Sequence, residues 1–196
     1  MKKRGIHSIR KDAQPVVESH MDLFHGLAER IDFRPDARTD YESRVASMDR
    51  VLDVGGRNHR SKSHRRLRKQ SFNPNTQIVA TDILAAYGPD LVDDICRSSL
   101  QSETFDGIYC DAILEHVRNY PAAVAEMHRI LKPGGELFVY VPFFWCVHDR
   151  MDYHRFTFAE LDRLLSEFED YRIFLPDEKG YGGVLWQLLT FYRIKR

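Results

Sequence analysis

Cysteine is scarce in this 196-residue chain: Cys96, Cys110 and Cys146 form no C-x-x-C pair and are odd in number. That argues against a disulfide scaffold and for a reducing compartment. No stretch reaches the roughly 18 apolar residues that a membrane span requires. The most apolar run, Leu137–Val147, is interrupted by Pro142. The opening MKKRGIHSIRK lacks the apolar core of a signal peptide, so a cytoplasmic protein is expected. Net charge is also absent, with 29 basic against 29 acidic residues. This rules out a globally basic nucleic-acid coat or an acidic tail. There is no internal repeat and no flexible linker. What is present is 43% hydrophobic and 12% aromatic residues, enough for one domain with a sizeable core.

The charge balance conceals an asymmetry: residues 1–70 carry a net +7 and residues 71–196 a net −7. Arg50–Val54, Gln77–Thr81, Phe105–Cys110 and Glu136–Pro142 are short apolar runs rich in β-branched and aromatic residues, and Leu91–Ile95 is a weaker one. Near-continuous apolar character predicts strands covered on both faces. Helical patterns lie between them. Pro121–Leu131 puts Val124, Met127, Ile130 and Leu131 on one stripe before LKPGG stops it. Thr157–Phe168 opens with Thr157 and Glu160 at capping-box spacing, and its apolar face carries Phe158, Leu161, Leu164, Leu165 and Phe168. The alternation predicts an α/β fold: a Rossmann-like, doubly wound, mostly parallel sheet with helices on both faces. A further helix over Gln14–Ile31 makes residues 1–46 an N-terminal helical extension ahead of a domain over 47–196.

Ligands bind beyond the carboxyl ends of strands in such a sheet. After the first strand come Asp53-Val54-Gly55-Gly56-Arg57-Asn58. Glycines there let a ligand approach the backbone, and the next helix offers free N–H groups. Asp82, 29 residues past Asp53, suits a bidentate bond to a ribose diol. Asp94 with Ile95, and then Asp111, follow at the next two strand ends. Acidic residues at successive strand ends favour a cationic, ribose-bearing ligand over a polyphosphate, although each one alone is as often a helix cap.

Together VLDVGG (51–56), VATDI (79–83), VDDI (92–95), FDGIYCDAILEHV (105–117) and RILKPGGELFVYVPF (129–143) resemble the class I S-adenosylmethionine-dependent methyltransferases. HDRMDYHRFTFAEL (148–161) further resembles the type 11 subgroup, many of whose members look like modifiers of sugars or small metabolites. The resemblance implies S-adenosyl-L-methionine as cofactor. It places Gly55 and Gly56 under the methionine and ribose, with Asp53 anchoring the turn. It puts Asp82 on the ribose hydroxyls, Ile83 on the adenine, Asp94 at the adenine amino group with Ile95 beside it, and Cys110 and Asp111 at the methionine end. The chain departs from the family's Gly-x-Gly-x-Gly turn, with Arg57 and His59 at the later glycine positions. An inward Arg57 would crowd the ligand, and Gly56 is the alternative source of flexibility.

Methyl transfer from a sulfonium is an in-line displacement, and a hydroxyl or amine acceptor must also lose a proton. The segment after the last strand is dense in suitable groups. His148 comes soonest after the strand end and is the expected general base. Asp152 could orient it, and Tyr153 or Arg155 could hold the acceptor. The competing reading is a polar lid fixed by an Asp152–Arg155 pair. The C-x-H-x5-H spacing of Cys146, His148 and His154 matches no standard zinc pattern, so no metal is expected. His116 and Glu115 in LEHV read first as capping or packing residues.

Arg57–Lys69 holds seven Lys/Arg and two His, and no Asp or Glu occurs from Val54 through Thr81. This is a solvated helix face or a grip on an anionic acceptor. The tail Tyr181–Arg196 has apolar residues at helical spacing and could pack on the sheet, lie on a membrane surface or form a homodimer interface. The expected activity is methyl transfer to an O or N atom of a small-molecule or glycan acceptor. The alternatives are an RNA methyltransferase, against which stands the absence of an Asn/Asp-Pro-Pro-Tyr/Phe motif, and a non-catalytic binding protein of the same fold.

Overall fold

A computed structural model describes residues 30–32, 36–57, 65, 67, 73–143 and 145–174. Residues 14–29 of the expected first helix, nearly all of the basic stretch and the tail from 181 lie outside the described residues. The elements are β1 (Ile31–Asp32), α1 (Ala37–Ala46), β2 (Arg50–Val54), β3 (Gln77–Asp82), β4 (Leu91–Val92), β5 (Phe105–Asp111), α2 (Tyr120–Ile130), β6 (Leu131–Tyr140), α3 (Phe158–Leu164) and β7 (Ile173–Phe174).

Five strands form one parallel sheet in the order β4-β3-β2-β5-β6. The chain runs outward from β2 through β3 to β4, then returns to the other side of β2 as β5 and β6. The strand order therefore reverses between β2 and β5, where an open α/β sheet has its ligand crevice. The short β1 and β7 pair separately and in parallel.

Successive strand residues face opposite sides, and both sides are covered. Leu52, Val54, Ile108 and Cys110 join Ala123, Val124, Met127 and Ile130 of α2 in one core. Val51, Ile78, Tyr109 and Phe138 meet Val45 and Ala46 of α1, with Leu67, in the other. Fully burying a side chain such as Met127 or Ile130 stabilises the fold by about 1.5–3 kcal/mol. α1 thus packs on the sheet from the N-terminal side of the expected 46/47 boundary.

Two expectations about local structure are corrected. Leu131 does not continue α2: it starts β6 opposite Phe105, and a register shift lets the chain through LKPGG before Glu136 pairs with Gly107. α3 stops at Leu164, and of the five apolar residues expected on its face only Leu164 is buried, with Leu161 and Phe168 partly buried against the same core. Thr157 does cap it, accepting from the Glu160 N–H at 3.2 Å. The Glu160 carboxylate does not return to close a capping box. It accepts from Tyr120 at 2.7 Å and from Arg163 at 3.0 Å. Arg163 and then Tyr120 hold its pKa down to about 2. A depressed carboxylate stabilises the fold above its unfolded value of about 4.3 and loses that contribution as pH falls through its folded value. Melting curves should therefore show Glu160→Gln less stable than the parent at pH 6 and equal to it near pH 2.

Candidate active site at the carboxyl ends of the strands

The glycine turn after β2 lies at the point of strand-order reversal. Gly55 has φ +69°, and a Cβ there would stand 2.1 Å from Ile113 Cδ1 in the loop after β5. A Cβ on Gly56 would meet Asp53 Oδ2 at 2.5 Å. The Gly56 N–H donates to the Asp53 carbonyl at 3.2 Å, and the Asp53 side chain is buried beneath the turn. Both glycines are thus required by close approach, and Asp53 lies where the turn needs an anchor. The Arg57 guanidinium stacks on the Tyr87 ring at 4.0 Å, which commits its side chain to the turn after β3.

At the ends of β3 and β4 the structure brings together a carboxylate and uncovered apolar surface. Asp82 Oδ1 accepts from the Leu84 N–H at 2.8 Å, and its second oxygen has no partner among the described residues. Ile83, Leu84 and Val92 are 62%, 42% and 52% exposed. That strip and a half-exposed carboxylate suit the face of an aromatic base beside a sugar diol. Asp94 caps the next turn: Oδ1 accepts from the Cys96 N–H at 3.1 Å and Oδ2 pairs with Arg97 at 3.1 Å. Ile95 is buried in the α2-side core, which corrects the expectation that it stands open in the ligand site beside Asp94.

Cys110 needs the same correction. Strand alternation turns it toward α2 with Ile108, where it is wholly buried and burial pushes its thiol pKa well up. Asp111 points to the α1 face and is held there. Tyr109 donates to Glu42 at 2.9 Å and to Asp111 at 3.2 Å, and Arg38 reaches Glu42 at 3.1 Å and Asp111 at 3.5 Å. Burial opposes the Arg38 charge, but Glu42 and Asp111 outweigh it and raise the pKa. Sequence reasoning missed this network. Arg38 and Glu42 stand at the i, i+4 spacing of a helical ion pair, but their partner Asp111 is 73 residues from Arg38.

The segment after β6 folds back on the turn after β5. The Tyr153 N–H donates to the Glu115 carbonyl at 2.8 Å, and His116 Nδ1 lies 3.1 Å from the Met151 carbonyl. His148 Nδ1 stands 3.0 Å from Asp152 Oδ2, which also accepts the His148 backbone N–H at 3.1 Å. Arg155 grips Asp152 with two donors at 2.5 and 2.8 Å. Hydrogen bonds from Arg155, ahead of the charge of His148, drive the Asp152 pKa far below the usual carboxylate range. Arg155 also donates to the carbonyls of Trp145, Cys146 and His154. All five of its N–H groups are thereby engaged, which corrects the expectation that it holds an acceptor. Tyr153, 38% exposed, carries Arg118 over its ring at 5.0 Å. The Asp152–Arg155 pair of the polar-lid reading is present, and His148 stands on the same loop against Asp152.

A parallel sheet wound both ways from a glycine turn, with carboxylates at successive strand ends, is the architecture of the class I S-adenosylmethionine-dependent methyltransferases. A family model described as a methyltransferase domain matches residues 62–139. That match spans less than half of the chain; with the strand order it shows a fold of this class, whose cofactor is S-adenosyl-L-methionine. The chain is similar to the ubiquinone biosynthesis O-methyltransferase of Xanthomonas oryzae pv. oryzae, with 32% identity over 147 residues. The match covers 62% of this chain, which spans 60% of that relative's length. Among solved structures it resembles phosphoethanolamine N-methyltransferase 2 of Haemonchus contortus bound to S-adenosyl-L-methionine (TM-score 0.51, 13% identity, 67% of this chain and 36% of that one). It also resembles the 4+2 cyclase SpnF (TM-score 0.52, 20% identity, 67% and 56%). One fold serves different reactions in these two, so the likeness shows the fold alone. Among the described residues no helix is long and apolar enough to cross a membrane.

Proposed function

We propose that this chain transfers a methyl group from S-adenosylmethionine to an oxygen atom of a small-molecule acceptor. The observation that supports the reading is that two groups of suitable residues lie at the carboxyl ends of the strands. One is the glycine turn with Asp82 and the exposed Ile83–Leu84 strip, and the other is the His148–Asp152 pair on the loop after β6. The O-methyltransferase name of the curated relatives favours oxygen over nitrogen.

In this mechanism Asp82 accepts from the ribose hydroxyls and Ile83 covers the adenine. Asp94 uses its remaining lone pairs on the adenine amino group. Gly55 and Gly56 let the backbone approach the methionine portion, with Asp53 holding the turn, and Asp111 stands at that end on its Arg38 and Tyr109 supports. S-adenosylmethionine supplies an electrophilic methyl group on a sulfonium. His148 Nε2 takes the acceptor's proton as the oxygen attacks, with Asp152 fixing Nδ1 as the protonated nitrogen. Arg155 keeps Asp152 ionised and aimed. Positioning supplies the remainder of the rate, since the displacement is in line.

Calorimetric titration with S-adenosylmethionine and S-adenosylhomocysteine tests the cofactor half directly. A hydrogen bond to a charged group contributes about 1.5–3 kcal/mol, so Asp82→Ala should weaken both ligands by roughly ten- to a hundredfold. Absence of binding to the parent protein would sink the enzyme reading and leave a binding role for the fold.

A further inference from the structure

Glu115 is the anomaly on the acceptor side. Its side chain is 2% exposed, yet Oε2 is buried with no hydrogen-bond partner among the described residues. A buried carboxylate oxygen without a donor is costly, and such a group calls for a specific explanation, a bound ion among the candidates. Two imidazoles converge on it. His116 Nε2 lies 4.0 Å from Glu115 Oε1, and the rings of His116 and His148 stand edge to face with centroids 5.2 Å apart. One ligand-type atom from each of Glu115, His116 and His148 falls within 4.8 Å of the other two.

The outer partners of the two imidazoles bear on what they can do. His116 places Nδ1 against the Met151 carbonyl and His148 places Nδ1 against the Asp152 carboxylate. Both acceptors demand a proton on Nδ1, which leaves the lone pair of each ring on Nε2. A metal-bound histidine has this arrangement, with its second nitrogen donating to a carbonyl or carboxylate that fixes the tautomer.

We propose that Glu115, His116 and His148 form a binding site for a zinc-class divalent cation. Two imidazoles and one carboxylate suit zinc or cobalt, whereas magnesium and calcium prefer all-oxygen sets. Ligand atoms on a tetrahedral zinc stand about 3.3 Å apart, so closure requires movement of about an ångström. His148, 39% exposed and on a loop, can supply that movement. Three protein ligands leave a fourth position open to water or an acceptor oxygen. The site shares His148 with the proposed methyl transfer: a bound cation occupies the lone pair that takes the acceptor's proton, so the loaded and base-competent forms exclude each other.

Sequence spacing conceals this set because its members come from two separate loops, Glu115 and His116 after β5 and His148 after β6.

The test uses the full chain, freed of any affinity tag and stripped with EDTA, with no cofactor or acceptor present. Its failure therefore leaves the methyltransferase reading standing. Titration with Co2+ is followed by visible absorption, and Zn2+ is measured by displacement of the bound Co2+. The expected result is one equivalent bound, with the dissociation constant raised at least about tenfold in both His116→Ala and His148→Ala, and also in Asp152→Asn through its outer hydrogen bond. Circular dichroism checks that each variant is folded, and the two histidine variants decide the outcome if Glu115→Gln does not fold. No binding overturns the proposal. So does binding that survives either histidine variant, or binding that Cys146→Ala or His154→Ala abolishes.

Discussion

Replacing His148 with alanine should lower methyl transfer by about 10²- to 10⁴-fold, the range that a positioned general base contributes. Affinity for S-adenosylmethionine should stay within about twofold, because no residue assigned to the cofactor touches this imidazole. The assay runs in EDTA, with release of S-adenosylhomocysteine read against a panel of hydroxyl acceptors, so that no cation competes for the ring. Asp152→Asn should recover little of the activity. An asparagine amide turned with its N–H₂ toward Nδ1 favours the tautomer with the proton on Nε2, which cannot accept. It also leaves Arg155 with one charged partner fewer among three backbone carbonyls. Because Arg155 and then His148 hold the Asp152 pKa far below the usual carboxylate range, this carboxylate is ionised near neutral pH. Any titration seen in the rate profile near neutrality therefore belongs to another group. If His148→Ala transfers methyl groups at the parent rate, the base is elsewhere and the loop serves only to hold the acceptor.

The sheet was legible because strands buried on both faces leave continuous apolar runs. Arg50–Val54 matches in full, and the runs at Gln77 and Phe105 extend by one residue, to Asp82 and Asp111. β6 was harder. Its first residues lie in LKPGG, which reads as a helix stop, and only the pairing of Leu131 with Phe105 places them in the sheet.

Contacts of the candidate site were legible where they join neighbours in sequence, as in the Asp53–Gly56 turn and the His148–Asp152 pair. They were illegible where they depend on which face a strand residue takes, or on a partner far along the chain. Alternation applied strictly would have sent Cys110 into the core with Ile108. Nothing local shows that Arg155 spends its donors on carbonyls nine and ten residues upstream, or that α1 reaches across to secure Asp111.

The glycine turn provides the second large effect, through two glycines that share a positive φ. Gly55 has φ +69° and Gly134 has φ +74°. A residue with a Cβ in the left-handed region costs about 1–2 kcal/mol at either position. Their surroundings differ. A Cβ on Gly134 meets nothing within 4 Å, whereas a Cβ on Gly55 falls 2.1 Å from Ile113 Cδ1 and 2.7 Å from Cγ1. Ile113 is partly buried and packs against the α2-side core, so a shift of its side chain away from residue 55 alters that packing. Gly134→Ala should therefore show the backbone cost alone, a drop in Tm of roughly 2–8 °C at about 2–4 °C per kcal/mol. Gly55→Ala should fall clearly further and weaken S-adenosylmethionine at least tenfold, while Gly134→Ala leaves cofactor affinity unchanged. Adding Ile113→Ala to Gly55→Ala removes the clash but keeps the strain. The double variant should recover cofactor binding more fully than stability, because the shortened Ile113 leaves a gap in the core. Recovery of neither would mean that the turn depends on Gly55 through backbone conformation alone. Equal Tm losses at Gly55 and Gly134 would mean that the contact between the two loops, across the point where the strand order reverses, has no part in shaping the cofactor site.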